Sequence, residues 1–84
     1  MILLEKHNVS SLREAVKNTL QNYFSKVGPE EPVDFYSIVL EEVERPLLEV
    51  LIQHTAYNQV RMAKILNISR GTLRTKLKQY GLLT

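Results

Sequence analysis

Several residue types are scarce in this chain of 84 residues, and each scarcity excludes a class of protein. The sequence has no cysteine, and its two histidines, His7 and His54, are far apart. Without cysteine the chain forms no disulfide and offers no thiolate to a metal, which suits a reducing cytoplasm. Two distant histidines do not make a structural zinc site. We therefore expect no metal and no cofactor.

Long apolar runs are also missing. No segment reaches the roughly 20 apolar residues that a membrane helix needs, so we expect no membrane partner. A chain of 84 residues makes one domain with a marginal core of its own. Since disulfides and metals are excluded, association between copies is the remaining means of stabilising so small a fold.

Acidic residues are missing from one end. Residues 54–84 carry six lysines and arginines and none of the nine acids, a net charge of +6, whereas residues 1–53 carry −4. A split of this kind indicates a polyanionic partner that is bound by one end of the molecule. The alternative is a solvated basic face, but such faces usually intersperse both signs of charge.

Apolar periodicity predicts an all-α fold with four helices, A to D, because no clean alternating run indicates a strand. Helix A is predicted to begin at Ser11, where "SLRE" has the spacing of a capping box. Gly28 and Pro29 are predicted to end it.

Helix B is predicted from Phe35 to about Thr55, with Asp34 as its N-cap. Pro46 is expected to kink this helix, and a break at Arg45 is the alternative. The helix is apolar around most of its circumference, so it must be covered on several sides, and a second copy is the economical cover. The predicted dimer core consists of Phe35, Ile38, Val39, Val43, Leu47 and Leu51.

The C-terminal part is predicted to be a helix-turn-helix. Helix C spans residues 59–66 with Asn58 as N-cap, and helix D spans residues 70–80 with Ser69 as N-cap. The expected organisation is a short flexible arm over residues 1–10, dimerisation helices over residues 11–56, and the helix-turn-helix over residues 57–84.

Helix D is expected to bury Leu73, Leu77 and Tyr80 and to turn its cationic side outward. Such a helix can enter the major groove of double-stranded DNA without repelling phosphate. Arg70 has a planar fork that matches guanine, so we predict that Arg70, with Ser69 beside it, reads bases. The residues predicted to contact the DNA backbone are Asn58, Gln59, Arg61, Thr72, Arg74, Lys76 and Lys78. For Asn58 and Ser69 a capping role alone is the alternative.

Three segments together resemble one known family. They are "LREAVKNTLQNYF", "YSIVLEEVERPLLE" and "RPLLEVLIQHTAYNQVRMAKILNISRGTLRTKLKQYG", which extend roughly from Leu12 to Gly81. They are similar to the factor for inversion stimulation (Fis) family of bacterial nucleoid-associated DNA-binding proteins. The resemblance implies an intertwined homodimer that bends DNA between two recognition helices and regulates transcription in the cytoplasmic nucleoid. RNA polymerase is a further candidate partner.

The sequence departs from the family pattern at several positions. Ser69 replaces a usual asparagine, Val60 replaces a common threonine, and Ala56 with Tyr57 replaces a common Arg-Gly pair, which leaves the turn geometry open. Only about ten residues precede helix A, where well-known members carry a long arm. We therefore expect no stimulation of DNA inversion.

Two other functions remain as alternatives. "SRGTLRTKLKQYG" is also similar to the C-terminal DNA-binding domain of nitrogen-regulator-type activators, and an acidic helical dimer could serve as a protein-interaction module. An enzyme is not expected, because no nucleophile or paired histidine accompanies the acid cluster. We interpret that cluster as a solvated helix face; its members are Glu41, Glu42, Glu44 and Glu49.

Overall fold

The protein is entirely helical over the described residues. A computed structural model describes the backbone of residues 6–84 and the side chains from residue 11 onward. Within this range it contains no strand and four helices. They are α1 (Lys6–Val27), α2 (Phe35–Thr55), α3 (Gln59–Leu66) and α4 (Arg70–Gln79). The predicted all-α class with four helices is thereby confirmed. None of the helices in residues 6–84 is both long enough and apolar enough to cross a bilayer.

The first helix begins earlier than predicted. Helix α1 starts at Lys6 and not at the Ser11 cap, because residues 6–10 include neither proline nor glycine to stop the helix from extending toward the N-terminus. The rest of the predicted arm, residues 1–5, lies outside the described part. The predicted end is confirmed, since the helix stops at Val27 and Gly28 follows with a φ of 72°.

Helix α2 has its predicted length but not its predicted cap. Pro46 lies inside the helix, so the alternative of a break at Arg45 is wrong. Asp34 occupies the N-cap position with a φ of 55°, and its side chain makes no capping hydrogen bond. The expectation that Asp34 caps the helix fails because a capping side chain reaches the helix N–H groups from an extended backbone, not from a left-handed one.

The helix-turn-helix forms as its caps predict. The Arg61 amide donates to Asn58 Oδ1 at 3.1 Å, and the Thr72 amide donates to Ser69 Oγ at 3.1 Å. Between the two helices Asn67 adopts a left-handed conformation with a φ of 57°, which asparagine tolerates better than most residues. Local hydrogen bonds thus fix both helix starts and the turn.

The chain divides into two compact units, the first ending at Val33 and the second comprising Asp34–Thr84. The core of the second unit draws on α2, α3 and α4. Its fully buried large side chains are Leu48, Met62, Leu73 and Leu77. Tyr80 is also buried, so the predicted core face of helix D is confirmed, and Ala63 is buried in α3.

Helix α2 has a core stripe and an exposed apolar stripe. Leu48, Leu51 and Thr55 are buried at helical spacing. Beside them runs a second stripe at spacings of four and three residues, formed by Tyr36, Leu40, Val43, Leu47 and Val50. Four of these five are exposed, and Val43 is half-buried. A single chain therefore leaves much of the apolar surface of α2 uncovered.

Candidate nucleic-acid interface

The surface of α4 is divided as its sequence predicts. Its core side lies against α2 and α3, and Lys76 is half-buried at the edge. The exposed positions are Arg70, Gly71, Thr72, Arg74, Thr75, Lys78 and Gln79. Because residues 54–84 contain no acid, no carboxylate from the helix-turn-helix itself interrupts this cationic surface.

The N-terminal tip of α4 is ordered by Ser69 and Thr72. Ser69 Oγ accepts from the Thr72 amide and donates to Thr72 Oγ1 at 2.9 Å. Gly71 adds no side chain here, which leaves the first turn slim. Arg70 is exposed, and the described residues offer its guanidinium no hydrogen-bond partner. The capping role of Ser69 is therefore visible, while Arg70 projects a donor fork from a fixed helix start.

A hydrogen bond joins the two helices of the motif across their exposed edges. Arg74 Nη1 donates to Gln59 Oε1 at 3.1 Å. One guanidinium nitrogen is thereby engaged, and the remaining N–H groups keep the positive charge available at the surface. The side-chain oxygen of Asn58 accepts the capping hydrogen bond of α3, and its amide NH₂ group is still available as a donor. The side chains of Arg61 and Lys78 are exposed.

The predicted dimer-core residues lie in different settings. Ile38 and Leu47 are exposed, whereas Phe35, Val39 and Val43 are half-buried. Leu51 packs into the core of its own chain beside α3 and α4. The first five therefore retain accessible apolar surface that a second copy could cover, whereas Leu51 is already buried within its own chain.

Glu44 of α2 binds Lys76 in the last turn of α4 and Tyr80, the C-cap residue of that helix. Lys76 Nζ donates to Glu44 Oε2 at 2.8 Å, and the Tyr80 hydroxyl donates to Glu44 Oε1 at 2.7 Å. The Glu44 side chain is only 16% exposed. The Arg45 guanidinium carbon lies 5.4 Å from the centroid of the Tyr80 ring, in range for a cation–π contact. The C-terminal end of α4 is thus stabilised by ionic and polar contacts in addition to the packing of its apolar face.

These contacts shift two ionisation equilibria. The hydrogen bonds from Lys76 and then Tyr80 hold the pKa of Glu44 below its usual 4.5, against the opposing effect of burial. Burial, followed by the hydrogen bond to Glu44, raises the pKa of Tyr80 to about 12. At neutral pH Glu44 is therefore ionised and Tyr80 is a neutral donor.

Sequence reasoning missed this role of Glu44. The interpretation of the acid cluster as a solvated face is wrong for Glu44, although Glu41, Glu42 and Glu49 are exposed as expected. A signal was present, since Glu44 lies four residues before Leu48 and so shares the core-facing side of α2. What the sequence could not supply was the partner, because Lys76 is 32 positions away.

Tyr57 was also missed as a structural residue. Its hydroxyl donates to the Leu82 carbonyl at 2.7 Å and accepts from the Thr84 amide at 2.9 Å. Ala56 and Tyr57 have φ values of 51° and 64°, a left-handed conformation that is unfavourable for residues with a side chain. The turn after α2 therefore keeps this geometry without a glycine, and Tyr57 ties it to the C-terminal segment.

Two short helices, a three-residue turn and an acid-free exposed face on the second helix define a helix-turn-helix protein. The sequence profile described as "Bacterial regulatory protein, Fis family" matches residues 39–80. The DNA-binding protein Fis of Actinobacillus succinogenes (strain ATCC 55618 / DSM 22257 / CCUG 43843 / 130Z) is 51% identical over 71 residues. The alignment covers 84% of this chain and 72% of that protein. The chain belongs to the Fis family of bacterial regulatory proteins.

The Glu44 contacts predict how stability depends on pH. Folding lowers the pKa of Glu44, so its contribution is complete above about pH 4.5 and is lost as pH falls through the lower native value. The free energy of unfolding is measured with urea from pH 7 down to pH 3. It should fall less for Glu44→Gln than for the wild type, because the variant has no carboxylate to protonate at this position. The exposed Glu49→Gln is the control and should follow the wild type. Equal acid sensitivity in wild type and Glu44→Gln would show that the contact does not form in solution.

Proposed function

We propose that this protein is a homodimeric, DNA-bending transcription regulator of the bacterial nucleoid, in which each copy inserts α4 into a major groove of double-stranded DNA. The observation that carries the proposal is the exposed face of α4, which is cationic, free of acids and headed by Arg70 in a helix-turn-helix. An α-helix fits the major groove, and this one brings donors and positive charge to it.

Phosphate contacts supply the affinity and the register. The proposed backbone contacts are Asn58, Gln59, Arg61, Thr72, Arg74 and Lys78. Each cation that neutralises a phosphate releases condensed counterions, so binding weakens as salt rises. These contacts position α4 but carry little sequence information. Lys76 differs from them because its ammonium is bound to Glu44.

Base reading is proposed for the tip of α4. Arg70 is exposed at the first position of the helix, and its fork matches the O6 and N7 acceptors of guanine. Ser69 lies next to it, and the Ser69–Thr72 hydrogen bonds hold the first turn in place. A rigid turn keeps Arg70 at a constant angle to the base edge, which is what discrimination between bases requires.

The dimer is proposed to form through the exposed apolar surface of α2. Five residues at spacings of four and three residues from Tyr36 to Val50 resemble the seam of a coiled coil, which packs against another helix. Ile38, Phe35 and Val39 extend the apolar surface around the helix. Two copies joined in this way place two α4 helices on one DNA duplex, and bending the duplex lets both enter major grooves.

We further propose that the protein works by binding alone. A surface groove between α3 and the start of α4 is lined by Val60, Ala63, Lys64, Asn67, Ile68, Ser69 and Arg70. This lining contains no acid and no histidine for proton transfer. Its position beside Ser69 and Arg70 fits a surface that accommodates DNA. RNA polymerase is proposed as a partner in regulation.

Substitution of Arg70 tests the proposed function. Wild-type protein should bind labelled duplex DNA, with log K falling linearly against log salt by about 0.9 for each phosphate neutralised. Arg70→Ala should cost about 1–3 kcal/mol and relax preference at one base pair. Arg70→Lys is the matched control for charge and should lose the preference while it keeps the salt dependence, because lysine lacks the fork.

Two results would contradict the proposal. A wild-type protein with no affinity for duplex DNA in dilute salt would favour the protein-interaction module. Undiminished base discrimination in both Arg70 variants would remove the base-reading role from Arg70.

The dimer surface is tested by Leu47→Glu. Leu47 is 44% exposed in the single chain, and a carboxylate buried at an interface without a partner is strongly unfavourable. Sedimentation equilibrium should show a dimer for the wild type and a largely monomeric or unfolded Leu47→Glu variant. Val60→Glu is the control, since Val60 is similarly exposed, at 46%, but lies on α3. A monomeric wild type would overturn the proposed dimer.

A further inference from the structure

Glu44 holds the last turn of α4 together with its C-cap residue. Its two oxygens engage different residues, Lys76 at 2.8 Å and Tyr80 at 2.7 Å, which are four positions apart and therefore lie above one another on the same side of the helix. Sliding α4 by one residue means a 1.5 Å shift along its axis, and rotating it by one residue means about 100°. Such a rotation carries both side chains away from Glu44, and such a shift moves both hydrogen bonds away from their favourable geometry. The pair of contacts therefore specifies the rotation of α4 and disfavours its displacement along the axis.

The same contacts give Lys76 a different environment from the other cations of α4. Lys76 is the one lysine or arginine in residues 54–84 to which the described residues supply an ion-pair partner. Its side chain is 33% exposed, whereas Lys78, two positions away, is exposed and has no such partner among residues 11–84. Glu44 offsets the charge of Lys76, so a phosphate would gain less from Lys76 than from Lys78.

We propose that Glu44 is a positioning residue for DNA recognition. It clamps Lys76 and Tyr80 to set α4 against α2, and Lys76 serves in this clamp instead of binding a phosphate. The Arg45 guanidinium over the Tyr80 ring supports the clamp from the neighbouring position of α2. The proposal rests on the proposed DNA-binding function and deepens it, because the clamp acts on base reading only through the placement of α4.

The role of Lys76 is tested by comparing two identical substitutions. Lys76→Met and Lys78→Met each remove one ammonium group from α4, and affinity for a duplex is measured over a range of salt. We expect Lys78→Met to flatten the slope of log K against log salt by about 0.9 per protomer. Lys76→Met should change the slope by less than about a third of that amount. A slope for Lys76→Met that flattens as much as that for Lys78→Met would overturn the assignment.

The positioning role is tested by Glu44→Gln, which keeps the size of the side chain and removes its charge. The readout is the ratio of affinities for a preferred duplex, selected from a random pool, and a scrambled duplex of equal length. Measured well below the melting temperature of the variant, this ratio does not respond to a loss of stability alone. We expect it to fall at least about fivefold, the lower end of what one lost base contact costs. An unchanged ratio would overturn the positioning role.

Two further measurements keep the test decisive. If Glu44→Gln does not fold, Tyr80→Phe replaces it, because that change deletes one of the two hydrogen bonds and leaves the Lys76 contact in place; the ratio should again fall. Lys76→Arg can still pair with Glu44 and should retain the wild-type ratio of affinities. A fall of this ratio in Lys76→Arg would count against the clamp. Wild-type protein that fails to bind duplex DNA would refute the proposed function, and the positioning role would fall with it. Wild-type binding with equal slopes for the two Met variants would refute the clamp alone.

Discussion

The burial of Leu73 and Leu77 is the constraint on which the rest of the helix-turn-helix depends. Both side chains are fully buried among residues of α2 and α3. They lie four positions apart, so their burial fixes which side of α4 points inward. Burying each contributes about 1.5–3 kcal/mol. Arg70, Arg74 and Lys78 are exposed as a consequence, since they occupy the remaining circumference of the same helix.

Polar contacts refine a position that the apolar core determines coarsely. An ion pair as accessible as Glu44–Lys76 contributes about 0–1 kcal/mol, less than either buried leucine. Hydrogen bonds are directional, however, whereas apolar packing tolerates small shifts of a helix. Glu44 supplies this directionality from α2, a helix that carries acids, to a segment that has none. The acid-free surface is therefore maintained while α4 still gains an anionic contact on its inner side.

Signals within a few residues of each other predicted most of the fold. The caps at Asn58 and Ser69 and the passage of α2 through Pro46 rest on local backbone preferences, and the structure has each of them. Ser11 failed as a start because a capping box permits a helix to begin but does not prevent it from extending. Helical periodicity correctly predicted the buried face of α4 and the outward position of Arg70, Arg74 and Lys78.

Contacts between distant parts of the chain were not predictable in the same way. Glu44 lies on the core side of α2 by spacing, but its pairing with Lys76 and Tyr80 depends on how α2 and α4 pack. The Arg74–Gln59 bond and the ties from Tyr57 to the C-terminal segment also join elements that only the tertiary fold brings together. The sequence therefore showed which residues of α4 are cationic, and only the tertiary fold showed which of them are hydrogen-bonded to other side chains of the chain.

The exposed face of α4 as a DNA-binding surface is tested most directly by amide NMR spectra of the protein titrated with a short duplex in dilute salt. We expect the largest shifts over residues 70–78 and at the start of α3, with smaller shifts at the acidic positions of α2. Shifts confined to α2, or spectra that duplex DNA leaves unchanged, would contradict that assignment.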